Sequence, residues 1–249
     1  MTTISQNTVG INTNNFESTQ TKKAQTIITA LPTIEKKRSR VSLIIYHIIK
    51  RICDIIAGII GVIILIPLTI IVYILKITSN DNEPLFYDQL RVGKNGKVFK
   101  IYKFRSMVIG ADEKLKKYLE ENEEEAEYYK KYKKLKKDPR VTKAGKILRI
   151  TSLDEWPQFF NILTGQMSLV GPRPYLPREK EDIGEIAYKE IIKVKPGLTG
   201  PWQIAGRSNL EFKDRVMLDL EYIPRASLLT DIKITLKTVK KVIKKEGAT

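Results

Sequence analysis

From Ile55 to Leu75 the chain runs through 21 residues without a charge, IIAGIIGVIILIPLTIIVYIL. A helix of that length crosses a hydrocarbon core of roughly 30 Å. The run is apolar on every face, unlike the one-sided stripe of a helix in a water-soluble domain. Pro67 lies inside it and lacks a backbone donor, so a kink or break is expected there. Lys50 and Arg51 precede the run, and Lys76, Arg91, Lys94 and Lys97 follow it. Equal basic flanks give a single span no orientation and favour a re-entrant segment that turns near Pro67 and returns to the same side. Asp54 falls three residues after Arg51, a spacing at which the two would pair on a helix.

No second run of this kind follows. The pattern divides the chain into a polar tail at 1–40, a membrane-embedded segment at 41–78 and a water-facing domain at 79–249. The tail is rich in Thr, Asn, Gln and Ser, shows no apolar periodicity, and ends basic at Lys36, Lys37, Arg38 and Arg40. It is expected to be disordered. Two β-prone stretches, 85–92 and 98–104, flank Asn95-Gly96 and predict a hairpin. Residues 112–138 are acidic first and basic after, as in a solvated helix whose charges suit its dipole. Toward the end, Ile232, Leu236, Val239 and Ile243 form one stripe among lysines. That stripe either packs on the domain or lies in a membrane interface. The fold class is α+β, mostly helical, with one β-hairpin and amphipathic helices.

Composition narrows the chemistry. The net charge of +16 favours anionic partners without choosing among nucleic acid, acidic lipid and a phosphorylated substrate. His47 and Cys53 are the single histidine and cysteine, and both sit beside the apolar run. Disulfide scaffolds, Cys/His zinc sites and His-dependent nucleophilic catalysis are thereby excluded. Carboxylates, Lys and Arg remain, together with a hard metal ion held through oxygen.

Candidate chemistry gathers in RITSLDEWPQFFNILTGQMSLVGPRPYLPRE. Ser152 and Glu155 have the spacing of a capping box, with a helix expected to continue through Phe159, Ile162, Leu163 and Met167. Asp154 and Glu155 then either stabilise a helix start or do chemistry. A helix N-terminus would hold Asp154 ionised, as a carboxylate nucleophile requires. Neighbouring helical positions point about 100° apart, so one carboxylate could attack phosphorus while the other holds Mg²⁺. Lys103, Arg105 and Arg149 supply cations nearby in sequence. Arg173 stands between the prolines of Gly171-Pro172-Arg173-Pro174, and Pro196-Gly197-Leu198-Thr199-Gly200 leads to Gln203 and Arg207. Arginines at rigid turns suit bidentate phosphate contacts.

Five segments in order, KRICD at 50–54, YKFRSM at 102–107, TSLDEWPQFFNIL at 151–163, MSLVGPRP at 167–174 and PGLTGPWQIAGR at 196–207, resemble the bacterial sugar transferases. These are the monotopic phosphoglycosyl transferases of the bacterial cytoplasmic membrane. The resemblance covers about 41–249 and leaves out the tail. It departs at Pro201-Trp202, where relatives usually carry Trp directly after PGLTG, and it is nearest the catalytic-only members that lack about four preceding spans.

The resemblance implies transfer of a sugar 1-phosphate from a UDP-sugar to undecaprenyl phosphate, with UMP released and the domain facing the cytoplasm. It assigns Asp154 as the nucleophile that forms a phosphosugar-enzyme intermediate and Glu155 as a Mg²⁺ ligand beside it. It assigns Arg173 and Arg207 to phosphate or carboxylate contacts, and gives the membrane segment the form of a re-entrant hairpin broken at a proline. Nucleic acid is not among the implied partners, and a homo-oligomer is left open. On charge alone, a non-enzymatic membrane-anchored module that binds acidic lipid or nucleic acid also stays open.

Overall fold

A computed structural model describes residues 39–244. The expected disordered tail lies, except for its last two residues, outside the described residues. The first element is a helix of 39 residues, α1 (Arg40–Thr78). It is the one described helix long and apolar enough to cross a membrane. The expected division into two helices is not seen, because α1 continues through Pro67. A proline removes one donor from the ladder, and the neighbouring turns carry the helix across it.

One face of α1 packs on the rest of the molecule along nearly its whole length. Tyr46, Asp54, Gly58 and Gly61 are buried in its first part, and Leu68, Val72 and Lys76 in its second. Much of its remaining surface is exposed isoleucine. The expected Arg51–Asp54 pair does not form. Arg51 gives its two terminal nitrogens to the carbonyls of Ile162 and Leu163, at 2.8 and 2.9 Å. Asp54 accepts from the Ser168 hydroxyl at 3.0 Å and the Leu169 amide at 2.8 Å. Each charge finds a long-range partner that a local reading of spacing could not contain.

The hairpin forms as predicted. Strands β1 (Phe86–Val92) and β2 (Val98–Phe104) pair antiparallel, and the turn places Asn95 and Gly96 at positive φ. The charged segment is two helices, α2 (Ala111–Glu121) and α3 (Glu123–Tyr132), that meet at Asn122. Next come α4 (Lys143–Ile150) and α5 (Gln158–Leu163). Strands β3 (Ser168–Val170) and β4 (Gly197–Thr199) pair in parallel, with α6 (Lys180–Ile183) and α7 (Glu185–Ile191) in the connection. The chain ends in α8 (Pro201–Ala205), α9 (Phe212–Arg225) and α10 (Leu228–Ile243).

Two small cores tie α1 to this frame. Leu68 and Val72 pack with Phe104 and Leu148, and Tyr46 packs with Val170, Tyr222 and Ile234. On α10 the buried residues are Asp231 and Ile234, so the stripe of Ile232, Leu236, Val239 and Ile243 faces outward and does not pack on the domain.

Candidate active site

The Ser152–Glu155 capping box is not present. Ser152 adopts a left-handed conformation (φ 58°, ψ 19°), and its side chain caps nothing. Leu153–Glu155 is a single 3₁₀ turn, and the α-helix begins later, at Gln158. Glu155 turns instead to Lys103, 52 residues earlier on β2, at 2.8 Å. Turn and hairpin are thus joined by an ion pair, leaving Asp154 buried (8 % exposed) in the wall of a cavity of about 370 Å³.

The hairpin lays cations along that wall. Tyr87, Gln89 and Arg91 recur at every second position of β1, and Tyr87 stands opposite Lys103 in register. Alternation along a strand puts them on one face, and all four line the cavity together with Arg105. Arg149, near the end of α4, reaches the Ser106 hydroxyl at 3.0 Å and lines the same space.

Arg173 comes from a loop held at nearly every residue. Gly171 donates to Thr199 at 2.9 Å, and Gly197 donates to Pro172 at 2.8 Å. Arg173 donates its amide to Asp219 Oδ2 at 2.9 Å, which also accepts the Tyr175 hydroxyl at 2.8 Å. Arg91 donates to the Pro174 carbonyl at 2.8 Å. A Cβ on Gly171 would stand 2.5 Å from the Lys195 carbonyl, so only glycine admits this close approach. The Arg173 guanidinium lies 5.4 Å from the Trp202 ring centre, and Arg215 lies at the same distance from that ring.

Eight cations line the cavity, namely Arg91, Lys103, Arg105, Lys133, Arg140, Arg149, Arg173 and Arg178, against four carboxylates, Asp112, Glu113, Asp154 and Glu179. The Nε groups of Arg91, Arg105 and Arg173 are buried and have no acceptor in the protein. Buried donors are rarely left so, and an anion with several oxygens would satisfy them. Burial pushes Asp154 up to about 6, while Lys103 pulls the other way and Glu155 adds to the rise. The expectation that a helix start holds Asp154 fully ionised is therefore corrected. Surrounding protein also opposes ionisation of Glu155, but Lys103 outweighs it and holds that carboxyl below its ordinary value. Glu155 keeps 42 % of its side chain exposed.

Asp154 and Glu155 are the adjacent carboxylates that could hold Mg²⁺, an ion commonly bound by one or two carboxylates together with substrate phosphates. No group of three or more His, Cys, Asp or Glu able to hold a metal occurs among the described residues.

Of the candidate residues, Lys103, Arg105, Arg149, Asp154 and Arg173 share the cavity, and Glu155 joins it through Lys103. Gln203 and Arg207 do not line it. Gln203 lies on α8, with its amide 3.4 Å from the Leu198 carbonyl, and Arg207 opens a 3₁₀ turn at φ 50°. Sequence reasoning missed Arg91 and Gln89 as cavity residues, although the period-two recurrence Tyr87, Gln89, Arg91 carries the signal. It also missed Asp219, whose role depends on a contact 46 residues away and leaves no local trace.

The family described as bacterial sugar transferase matches residues 45–245. The exopolysaccharide production protein ExoY of Sinorhizobium fredii is 40 % identical over 199 residues, covering 80 % of this chain and 87 % of that protein. The undecaprenyl-phosphate galactose phosphotransferase of Salmonella typhimurium is 42 % identical over 201 residues, covering 80 % of this chain and 41 % of that protein. The UDP-glucose:undecaprenyl-phosphate glucose-1-phosphate transferase of Escherichia coli K12 is 39 % identical over 201 residues, covering 78 % and 40 %. The chain thus spans about four-tenths of the length of these last two relatives.

Proposed function

The chain belongs to the bacterial sugar transferase family, and we propose that it transfers a sugar 1-phosphate from a UDP-sugar to undecaprenyl phosphate, releasing UMP. This is the first membrane step in building an exopolysaccharide, capsule or O-antigen. The observation that carries the reading is a buried carboxylate, Asp154, in a cavity walled by cations with three guanidinium donors awaiting an acceptor. Phosphoryl transfer is catalysed mainly by positioning and charge stabilisation, which this wall supplies without a histidine.

In the proposed chemistry an Asp154 carboxylate oxygen attacks the phosphorus that bears the sugar. A bond forms between that oxygen and phosphorus, and the bond to the bridging oxygen breaks, so UMP departs with the electron pair. A phosphate oxygen of the lipid then attacks the same phosphorus, and the aspartyl bond breaks to return the carboxylate. Near neutral pH most Asp154 is ionised, since it titrates at about 6. Lys103, Arg91, Arg105 and Arg173 bind and orient the diphosphate, and Arg149, held at Ser106, lines the same space. Mg²⁺ held by Glu155, with Asp154 beside it, would neutralise phosphate charge when bound.

A lipid acceptor requires the domain to sit at a bilayer. Both parts of α1 pack on the same domain, which supports a helix embedded from one face with both ends on the domain side. The outward stripe of α10, flanked by Lys233, Lys237, Lys240 and Lys241, suits the same interface. We place the domain on the cytoplasmic face of the bacterial inner membrane, where UDP-sugars are found. UMP release from a panel of UDP-sugars, measured with and without undecaprenyl phosphate in Mg²⁺ buffer, tests the reading. Lipid-dependent release from one sugar supports it. A folded protein inert to every donor overturns it in favour of a non-enzymatic basic membrane module.

A further inference from the structure

A second cavity of about 370 Å³ opens against the first turns of α1, and it shares no lining residue with the Asp154 cavity. Lys50 and Arg51 of α1 face Lys94 at the hairpin turn and Lys193 and Lys195 ahead of β4, with Asp54 the one carboxylate in the lining. Most small-molecule sites are of this size.

The charges do not balance. Lys50 is matched by Asp231 at 2.6 Å and Lys193 by Glu190 at 2.7 Å. Asp54 accepts from the Ser168 hydroxyl and the Leu169 amide, both neutral, so its charge offsets one of the cations that remain. Arg51 gives its nitrogens to two carbonyls, which are neutral and leave its charge unmatched. Lys94 and Lys195 have no ion-pair partner among the described residues. Arg51 and Lys195 also converge: a Cβ built on Gly165 would lie 3.2 Å from Arg51 Nη2 and 3.5 Å from Lys195 Nζ. Burial, then the charge of Arg51, lowers the Lys195 ammonium below its ordinary range, with Asp54 pulling the other way and Lys94 and Lys50 adding to the fall.

The location indicates where that anion comes from. On the outer side of the same turns Ile44, Ile45, Ile48 and Ile52 are exposed. A bilayer that covers these isoleucines brings its phosphates level with Lys50 and Arg51 at the polar flank of the apolar run. We infer that this cavity holds the phosphate headgroup of an acidic phospholipid, a lipid distinct from the transfer acceptor. The inference rests on α1 as the membrane element. It separates from the acceptor because the two cavities share no lining residue.

Protein in dodecyl maltoside is titrated with dioctanoyl phosphatidic acid, dioctanoyl phosphatidylcholine or inorganic phosphate, and melting is followed. The comparison is a Lys94→Ala/Lys195→Ala double variant, with Lys195→Arg as the charge-keeping control. Neither lysine holds an ion pair, so the variant is expected to melt as wild type does without ligand. Phosphatidic acid raises the melting temperature of wild type and of Lys195→Arg, and its apparent affinity weakens at least about tenfold in the double variant. Phosphatidylcholine has little effect. Equal shifts in wild type and double variant, or no shift in wild type, overturn the site. An equal response to inorganic phosphate overturns its assignment to lipid, and a parallel rise in the KM for undecaprenyl phosphate overturns its separation from the acceptor. Melting needs no turnover, so this result stands apart from that of the transfer assay.

Discussion

Trp156 donates its indole N–H to the carbonyl of Gly61 at 2.9 Å, joining the residue after the carboxylate pair to the middle of the long apolar helix. Trp156 also packs beside Leu68 and Val72 of that helix. In the function proposed above, this side-chain contact with α1 sets the depth of Asp154 relative to the bilayer. A reaction between a soluble donor and a lipid phosphate requires such a setting, because misplacement by an ångström is costly to transfer.

Gly61 is the point of closest approach in this joint. A Cβ there would lie 2.2 Å from the Phe159 ring. Gly61→Ala is expected to push Phe159 and the turn before it away from α1, at about 1–3 kcal/mol of overpacking. Thermal unfolding in detergent should show a lower Tm, and a wild-type Tm would mean that the helix and α5 are not packed this closely.

Lys103 is the cation nearest the carboxylate pair. Lys103→Ala frees Glu155 from its ion pair and lets Asp154 titrate still higher. Turnover should fall by roughly 10²–10³-fold, the loss typical of one preorganised charge-stabilising donor. The acidic limb of the pH–rate profile should move upward as well, read by UMP release from pH 5 to 9.

Burial disfavours the ionised form of Asp154. Its folded value of about 6 lies above the ordinary 3.8. Its contribution to stability is thus intact below about 4 and is lost as pH rises through about 6. At pH 8 the ionised group should cost the fold on the order of 1–3 kcal/mol. Asp154→Asn should therefore melt above wild type at pH 8 in EDTA, with the gap closing toward pH 4, while transfer is abolished.

Asp219 positions the loop that carries Arg173. Its Oδ2 accepts from the Arg173 amide and the Tyr175 hydroxyl, and burial pushes its carboxyl up to about 7. Asp219→Ala leaves both donors unmet and should cost about 2–3 kcal/mol in denaturant unfolding. Asp219→Asn keeps an acceptor oxygen in place and should retain most of both stability and turnover.

What was legible in the sequence follows from the range of the interactions involved. The hairpin at Asn95-Gly96 and the apolar run of α1 are encoded locally, by turn chemistry and by unbroken hydropathy; the hairpin is found as read, and the run forms a helix, though one that continues through Pro67. The basic character of the cavity was also legible, since Lys103, Arg105, Arg149 and Arg173 needed only to be brought together. The helix start at Ser152 was misread because Glu155 is drawn to Lys103 across 52 residues, and a capping pattern carries no sign of that competitor. Arg51 and Asp54 likewise part company for partners more than 110 residues away. Pro67 shows the converse: a strong local breaker is carried through by a helix packed on both sides of it.

The central claim is that Asp154 bonds to the sugar phosphate. The most direct measurement is intact-protein and peptide mass spectrometry after mixing with the preferred UDP-sugar, without acceptor lipid. The account predicts a hexose-phosphate adduct on the peptide containing Asp154, discharged by undecaprenyl phosphate and absent from Asp154→Asn. An adduct on another residue, or full lipid-dependent turnover by Asp154→Asn, would contradict it.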